Sequence, residues 1–129
     1  MTEAVAQKNR LEAVLEALPV GVAPIDPEGG NIECNAAFEL IWGGPRPVAR
    51  SVEEYAAYKA WWGDTGDPVR PEEWASARAT QNGETVINQE MWIERIDGTR
   101  AFVLNSAAPI RDAQGRICGS AVAIIDIEG

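Results

Sequence analysis

From Glu84 to the C-terminal end the sequence carries three long apolar runs, "ETVINQEMWIERI", "TRAFVLNSAAPI" and "RICGSAVAIIDI", parted by two short turns. Asp97 and Gly98 between the first two supply the backbone angles of a tight hairpin, and "RDAQG" joins the last two. Three strands with connections this short can pair only as an antiparallel meander, because a parallel return needs a dozen residues or more. Along them Ile87, Met91 and Ile93 alternate against Val86, Trp92 and Ile96, and Val103 alternates against Phe102 and Leu104. Both faces of the sheet are therefore apolar, and both must be covered.

The remaining two thirds must supply that cover. Between Glu3 and Leu18 the apolar Leu11, Val14, Leu15 and Leu18 recur at helical spacing, with Lys8, Arg10, Glu12 and Glu16 on the other side, which predicts an amphipathic helix ended by Pro19. "VGVAPIDPEGGNIECN" reads as a hairpin of two strands, Val20 to Ile25 and Asn31 to Cys34. Asn35 is placed to cap the helix "AAFELIW", which Gly43, Gly44 and Pro45 break. Ser51 and Glu54 have the spacing of a capping box at the head of a further helix, "SVEEYAAYKAWW", on which Tyr55, Tyr58 and Trp62 share a face. Pro71 opens, and Asn82 with Gly83 closes, a last helix through Trp74. Strands grouped at both ends around several short helices, without βαβ alternation, argue for an α+β domain with an antiparallel sheet. The length of 129 residues fits one domain, divided here into an N-terminal helix over 1–18 and the main domain over 19–129. The middle helices can cover one face only; the N-terminal helix, a partner subunit or both must cover the other.

Charge narrows the partners. Twenty acids against eleven bases leave a formal charge of −9, which repels nucleic acid and anionic membrane surfaces. No apolar run is long enough to span a bilayer and the N-terminus lacks a signal-peptide pattern, so the segment is expected in the cytoplasm without membrane contact of its own. Cys34 and Cys118 lie in apolar runs and read as buried, reduced thiols.

Taken in order, "LEALPVGVAPIDPEGGNIECNAAFELIWG", "NGE", "RIDGTRAF" and "AAPIRDAQGRICGSAVAIIDIE" resemble the PAS sensor domains of bacterial signalling proteins, over about Arg10 to Glu128. The carrying features are the Pro-x-Gly strand start, the Asp-x-x-Gly turn, the Asn-x-Ala-Phe helix start and the closing Asp126, Ile127 and Glu128. These last residues are similar to a terminal Asp-Ile-Thr, with Glu128 where that pattern has Thr. The resemblance implies a five-stranded antiparallel sheet with short helices on one face. It also implies a sensory rather than enzymatic segment, continued by a helical linker into an output module that is commonly a histidine kinase. With no histidine, the segment itself cannot hold a phospho-accepting one.

Domains that this chain resembles hold haem, flavin, a small metabolite or nothing between sheet and helices. Haem through histidine is excluded, since the chain has none. Covalent flavin is disfavoured because the middle helices carry no cysteine, and a loop chromophore of the photoactive-yellow-protein kind is disfavoured because both cysteines read as strand residues. The cofactor therefore stays unknown, with haem on Cys or Met, non-covalent flavin and a small organic ligand left open. Followed inward, the alternation places Gln89, Met91, Ile93, Val103, Asn105, Val122 and Ile124 on the sheet floor, two amides in an apolar chamber that either meet a ligand or bond to protein and water. Tyr55, Tyr58, Trp61, Trp62 and Trp74 would form the helical wall. Asp126 is either a plain surface acid or a carboxylate that pairs with an arginine on the neighbouring turn or caps an exit helix; the second reading makes Asp126, Ile127 and Glu128 the relay to the output module. Leu11, Val14, Leu15 and Leu18 are the candidates for a homodimer contact or for covering the sheet. The acids Asp64, Asp67, Glu72 and Glu73 lack the spacing of a calcium loop, and no metal site is expected. Two other readings remain: a small enzyme of the ketosteroid-isomerase kind with a pocket carboxylate as base, and a ligand-free structural dimer module.

Overall fold

The computed structural model describes residues 2–17, 19–30, 34–44 and 50–127. Their order is α1 (Glu3–Ala17), β1 (Gly21–Ile25), α2 (Ala36–Trp42), a 3-10 turn (Val52–Ala57), β2 (Ala60–Trp62), a second 3-10 turn (Pro71–Glu73), α3 (Ala75–Asn82), β3 (Val86–Glu94), β4 (Arg100–Arg111) and β5 (Ile117–Asp126). The strands form one five-stranded antiparallel sheet in the order β1-β5-β4-β3-β2. The meander from β3 to β5 forms as the turn chemistry predicts. Arg95 and Thr99 close the first hairpin through a 2.7 Å backbone bond, and Asp112 and Arg116 close the second.

Helices lie on one face. α3 packs on β4 and β5 and α2 on β1, so the core sits between them and Ala23, Ile25, Met91, Ile93, Val103 and Ile124 on the sheet. Asn35 caps α2 as expected: its Oδ1 accepts from the Phe38 N–H at 3.1 Å and from the Val22 N–H at 2.9 Å, tying the helix start to β1. Gly21 is required there, because a Cβ would come within 2.8 Å of the Phe38 Cα and 2.7 Å of Ile124. Gly43 and Gly83 close α2 and α3 in the left-handed conformation, at φ 81 and 72.

Several expectations change. The helix read over "SVEEYAAYKAWW" is a short 3-10 turn followed by β2, which pairs with Met91–Ile93 of β3. Adjacent bulky aromatics at Trp61 and Trp62 fit a pleated surface, and the bare edge of β3 captures them. The Ser51 side chain makes no capping bond; its backbone instead bridges to Gly29. Residues 31–33 of the proposed second strand lie outside the described residues and Cys34 is not in a strand, so the fifth strand of this sheet is Ala60–Trp62. Ile87 is 66% exposed whereas Val86 is buried, because a bulge between Val86 and Gln89, with Asn88 at φ 57, reverses the alternation. Cys118 is exposed on β5 and Cys34 half-buried, so neither is a core thiol.

The N-terminal helix forms over Glu3–Ala17, but no described α1 residue is buried and Val14 is 54% exposed. It therefore does not serve as the sheet's cover through Val14; the side chains of Leu11 and Leu15, and Leu18 itself, lie outside the described residues. The outer face stays partly open, with Val22, Phe102, Leu104 and Trp92 half-buried and Ile125 exposed. No helix among the described residues is long and apolar enough to cross a membrane.

Candidate functional site

Between the sheet and the helices lies a half-enclosed cavity of about 30 Å³, room for roughly two water-sized groups. Ile25, Asn105, Val122 and Ile124 form its floor from β1, β4 and β5. Phe38 and Trp42 of α2, Tyr55 and Tyr58 around the first 3-10 turn, and Trp74 and Ser76 at the head of α3 form its wall. The rings interlock: Tyr58 stands 5.4 Å from Trp42 and 5.9 Å from Trp74, centre to centre, and Tyr55 stands 5.8 Å from Tyr58. Such tilted and edge-on contacts fill space that a sheet and three short helices would otherwise leave open.

Of the sequence candidates, Asn105, Val122, Ile124, Tyr55, Tyr58 and Trp74 meet at this cavity. Met91, Ile93 and Val103 face inward as the alternation requires, yet they are fully enclosed core residues that do not line it. Trp62 sits on β2, packs against the core from outside the cavity and donates its indole N–H to Glu73 at 3.4 Å. Trp61 lies on the outer side of β2, under the Arg100 guanidinium at 4.2 Å, not in the helical wall. Phe38 and Trp42 escaped the sequence reading although their i, i+4 spacing placed both on one face of α2. Among the lining residues there is no carboxylate to act as an isomerase-type base.

Gln89 does not line the cavity, and both it and Asn105 bond to protein. Gln89 Oε1 accepts from the Ala75 N–H at 2.9 Å and from Asn105 Nδ2 at 3.3 Å, while its Nε2 donates to the Glu73 carbonyl at 2.8 Å. Trp74 offers α3 no side-chain cap, so Gln89 satisfies a helix-start N–H from across the sheet. On the opposite wall the Tyr55 hydroxyl donates to the Gly29 carbonyl and accepts from Ser76 at 3.3 Å. Burial raises its pKa above the usual 10.0, against the Ser76 bond and with the Asp26 carboxylate.

At the sheet's end, Asp126 pairs with an arginine on the neighbouring turn: Arg95 Nη2 donates to its Oδ2 at 2.8 Å. Sequence reasoning anticipated an arginine without identifying it. The same guanidinium donates through Nε to the Ile41 carbonyl at 3.0 Å, and the Ile96 N–H donates to the Trp42 carbonyl at 2.9 Å. The C-terminal end of the helix that carries Phe38 and Trp42 is thus bonded directly to the partner of Asp126. Ile127 continues beyond, its N–H on the Phe102 carbonyl at 3.1 Å; Glu128 lies outside the described residues.

Comparison with solved structures finds this fold in an RNA-binding Light-Oxygen-Voltage receptor, with a TM-score of 0.71 and 20% identity over 98% of this chain and 35% of that one. It is also similar to the PAS domain of the fruit-fly ELK potassium channel, with a TM-score of 0.66 and 12% identity over the whole of both chains. A third similar structure is the LOV domain of a blue-light activated histidine kinase from Erythrobacter litoralis, with a TM-score of 0.61 and 23% identity over 85% of this chain and 97% of that one. The chain spans about a third of the length of the RNA-binding receptor. No curated protein matches it. The family model described as "PAS fold" matches residues 15–128. That match runs from the end of α1 past the last strand and leaves no part of the sheet or its helical cover outside it, so the chain belongs to the PAS-fold family of sensory domains.

Proposed function

We propose that this chain is the sensory and dimerising module of a cytoplasmic bacterial signalling protein. A small ligand or a partner acts at the aromatic-walled cavity, and the response leaves through Asp126 and Ile127 into a following output module. The observation that carries this reading is the Arg95 contact, which joins the carbonyl end of the cavity helix α2 to the carboxylate at the end of β5. A shift of Phe38 or Trp42 changes the geometry at Ile41 and therefore at Arg95, a physical connection between two places that signalling must couple. A histidine kinase is the favoured output on the resemblance of "APIRDAQGRICGSAV". Covalent flavin is disfavoured because neither cysteine lines the cavity. The net charge of −9 disfavours nucleic acid as a direct partner of this segment.

The relay is tested by trimming the cavity wall. In Trp42→Phe the amide resonance of Ile127 should shift relative to the parent chain. The same substitution made on an Arg95→Ala background should leave it in place. Equal shifts on both backgrounds would remove Arg95 from the path. The small cavity favours one further reading, a dimer module filled by its own aromatic rings; native mass spectrometry separates the two by the presence or absence of a co-purified small mass.

A further inference from the structure

A second hollow opens beside Arg95. It is half-enclosed and holds about 150 Å³; an apolar cavity of about that volume takes benzene. Trp42, Tyr58 and Ile96 give it apolar wall and Lys59, Glu94 and Arg95 give it charge, so that more of its surface is polar than apolar. It is distinct from the aromatic cavity of the proposed function, although Trp42 and Tyr58 line both. The Glu94 N–H donates to the Lys59 carbonyl at 2.9 Å, which sets the residue before β2 beside the end of β3. Lys59 Nζ stands 3.6 Å from Glu94 Oε2, with the two side chains 67% and 31% exposed. At that distance the two charges attract without hydrogen bonding, and solvent weakens the attraction. Arg95 differs, because its charge is already matched by Asp126 at 2.8 Å.

These charges select among ligands. A simple anion drawn to Lys59 meets the Glu94 carboxylate beside it, and a simple cation drawn to Glu94 meets the Lys59 ammonium. A zwitterion meets neither conflict, and it exchanges one loose ion pair for two charge-assisted hydrogen bonds. We infer that this hollow binds a small α-amino acid, with its carboxylate on Lys59, its ammonium on Glu94 and its side chain against Trp42, Tyr58 and Ile96. The volume sets the size: alanine has as many non-hydrogen atoms as benzene.

L-Alanine, propionate and isopropylamine, added separately to the 129-residue chain, test this. Propionate is alanine without its ammonium, isopropylamine is alanine with a methyl group in place of its carboxylate, and neither is larger than alanine. The readout is the backbone amide resonances of Lys59, Glu94, Arg95 and Ile96. L-Alanine should shift them saturably, and the other two should bind about tenfold more weakly or worse. Lys59→Met and Glu94→Gln should each weaken L-alanine by about tenfold as well, while the amide resonances of β5 stay in place. The inference is overturned if L-alanine gives no saturable shift at these four amides, if propionate or isopropylamine matches it, or if either variant binds L-alanine as tightly as the parent chain. Should a variant fail to fold, the three probes on the parent chain decide alone. The response of Ile127 to Trp42→Phe is read without ligand, so the relay stands or falls separately from this site.

Discussion

Tyr55 holds two segments at once, with its hydroxyl between the Gly29 carbonyl of the β1 turn and the Ser76 hydroxyl at the head of α3. Burial raises its pKa above 10.0, so the folded chain keeps that proton at a pH where the unfolded chain has lost it. Its contribution to stability is therefore complete below the unfolded value, and it declines as pH rises through the folded one. Urea midpoints measured from about pH 9 to pH 11 should fall, and the fall should be shallower in Tyr55→Phe. That variant loses its two bonds at every pH but has nothing to titrate at this site. An equally steep fall in both proteins would assign the alkaline loss to other groups.

Among the elements, the α3 start depends on a residue of β3. Replacing Gln89 by Leu keeps the volume but strands the Ala75 N–H, the Glu73 carbonyl and Asn105 Nδ2. The expected cost is about 2 kcal/mol in urea unfolding, with faster amide exchange confined to the first turn of α3. The sequence announced such features unevenly. The β3 to β5 meander was legible because strand period and turn residues agree along most of the three runs. The Asn35 cap and the Asp126 pairing with an arginine were legible from residue chemistry. β2 was not, because three residues carry no measurable period and the preceding turn reads as helix. Ile87 was misplaced because one bulge residue, Asn88, inverts everything before it. The cavity was only half legible: alternation tells which face a residue takes, but not whether a helix covers it, so Met91 and Val103 were grouped with Val122.

For the molecule as a whole, the open outer face is the feature that a second copy would bury. Ile125 is 38% exposed beside half-buried Phe102 and Leu104, and the described part of α1 leaves them uncovered. In the dimer proposed above, Ile125→Lys should weaken self-association about tenfold or more in sedimentation experiments, with the urea midpoint nearly unchanged at concentrations where the parent chain is monomeric. A dimer of unaltered affinity would move the contact away from this face. Arg95, finally, has no slack. Its Nε, Nη1 and Nη2 reach Ile41, Thr99 with Arg100, and Asp126, and a guanidinium is a rigid plane whose nitrogens cannot be re-aimed one at a time. Helix, hairpin and strand end consequently meet on one planar group, and turning that plane to follow any of them misaligns its bonds to the other two.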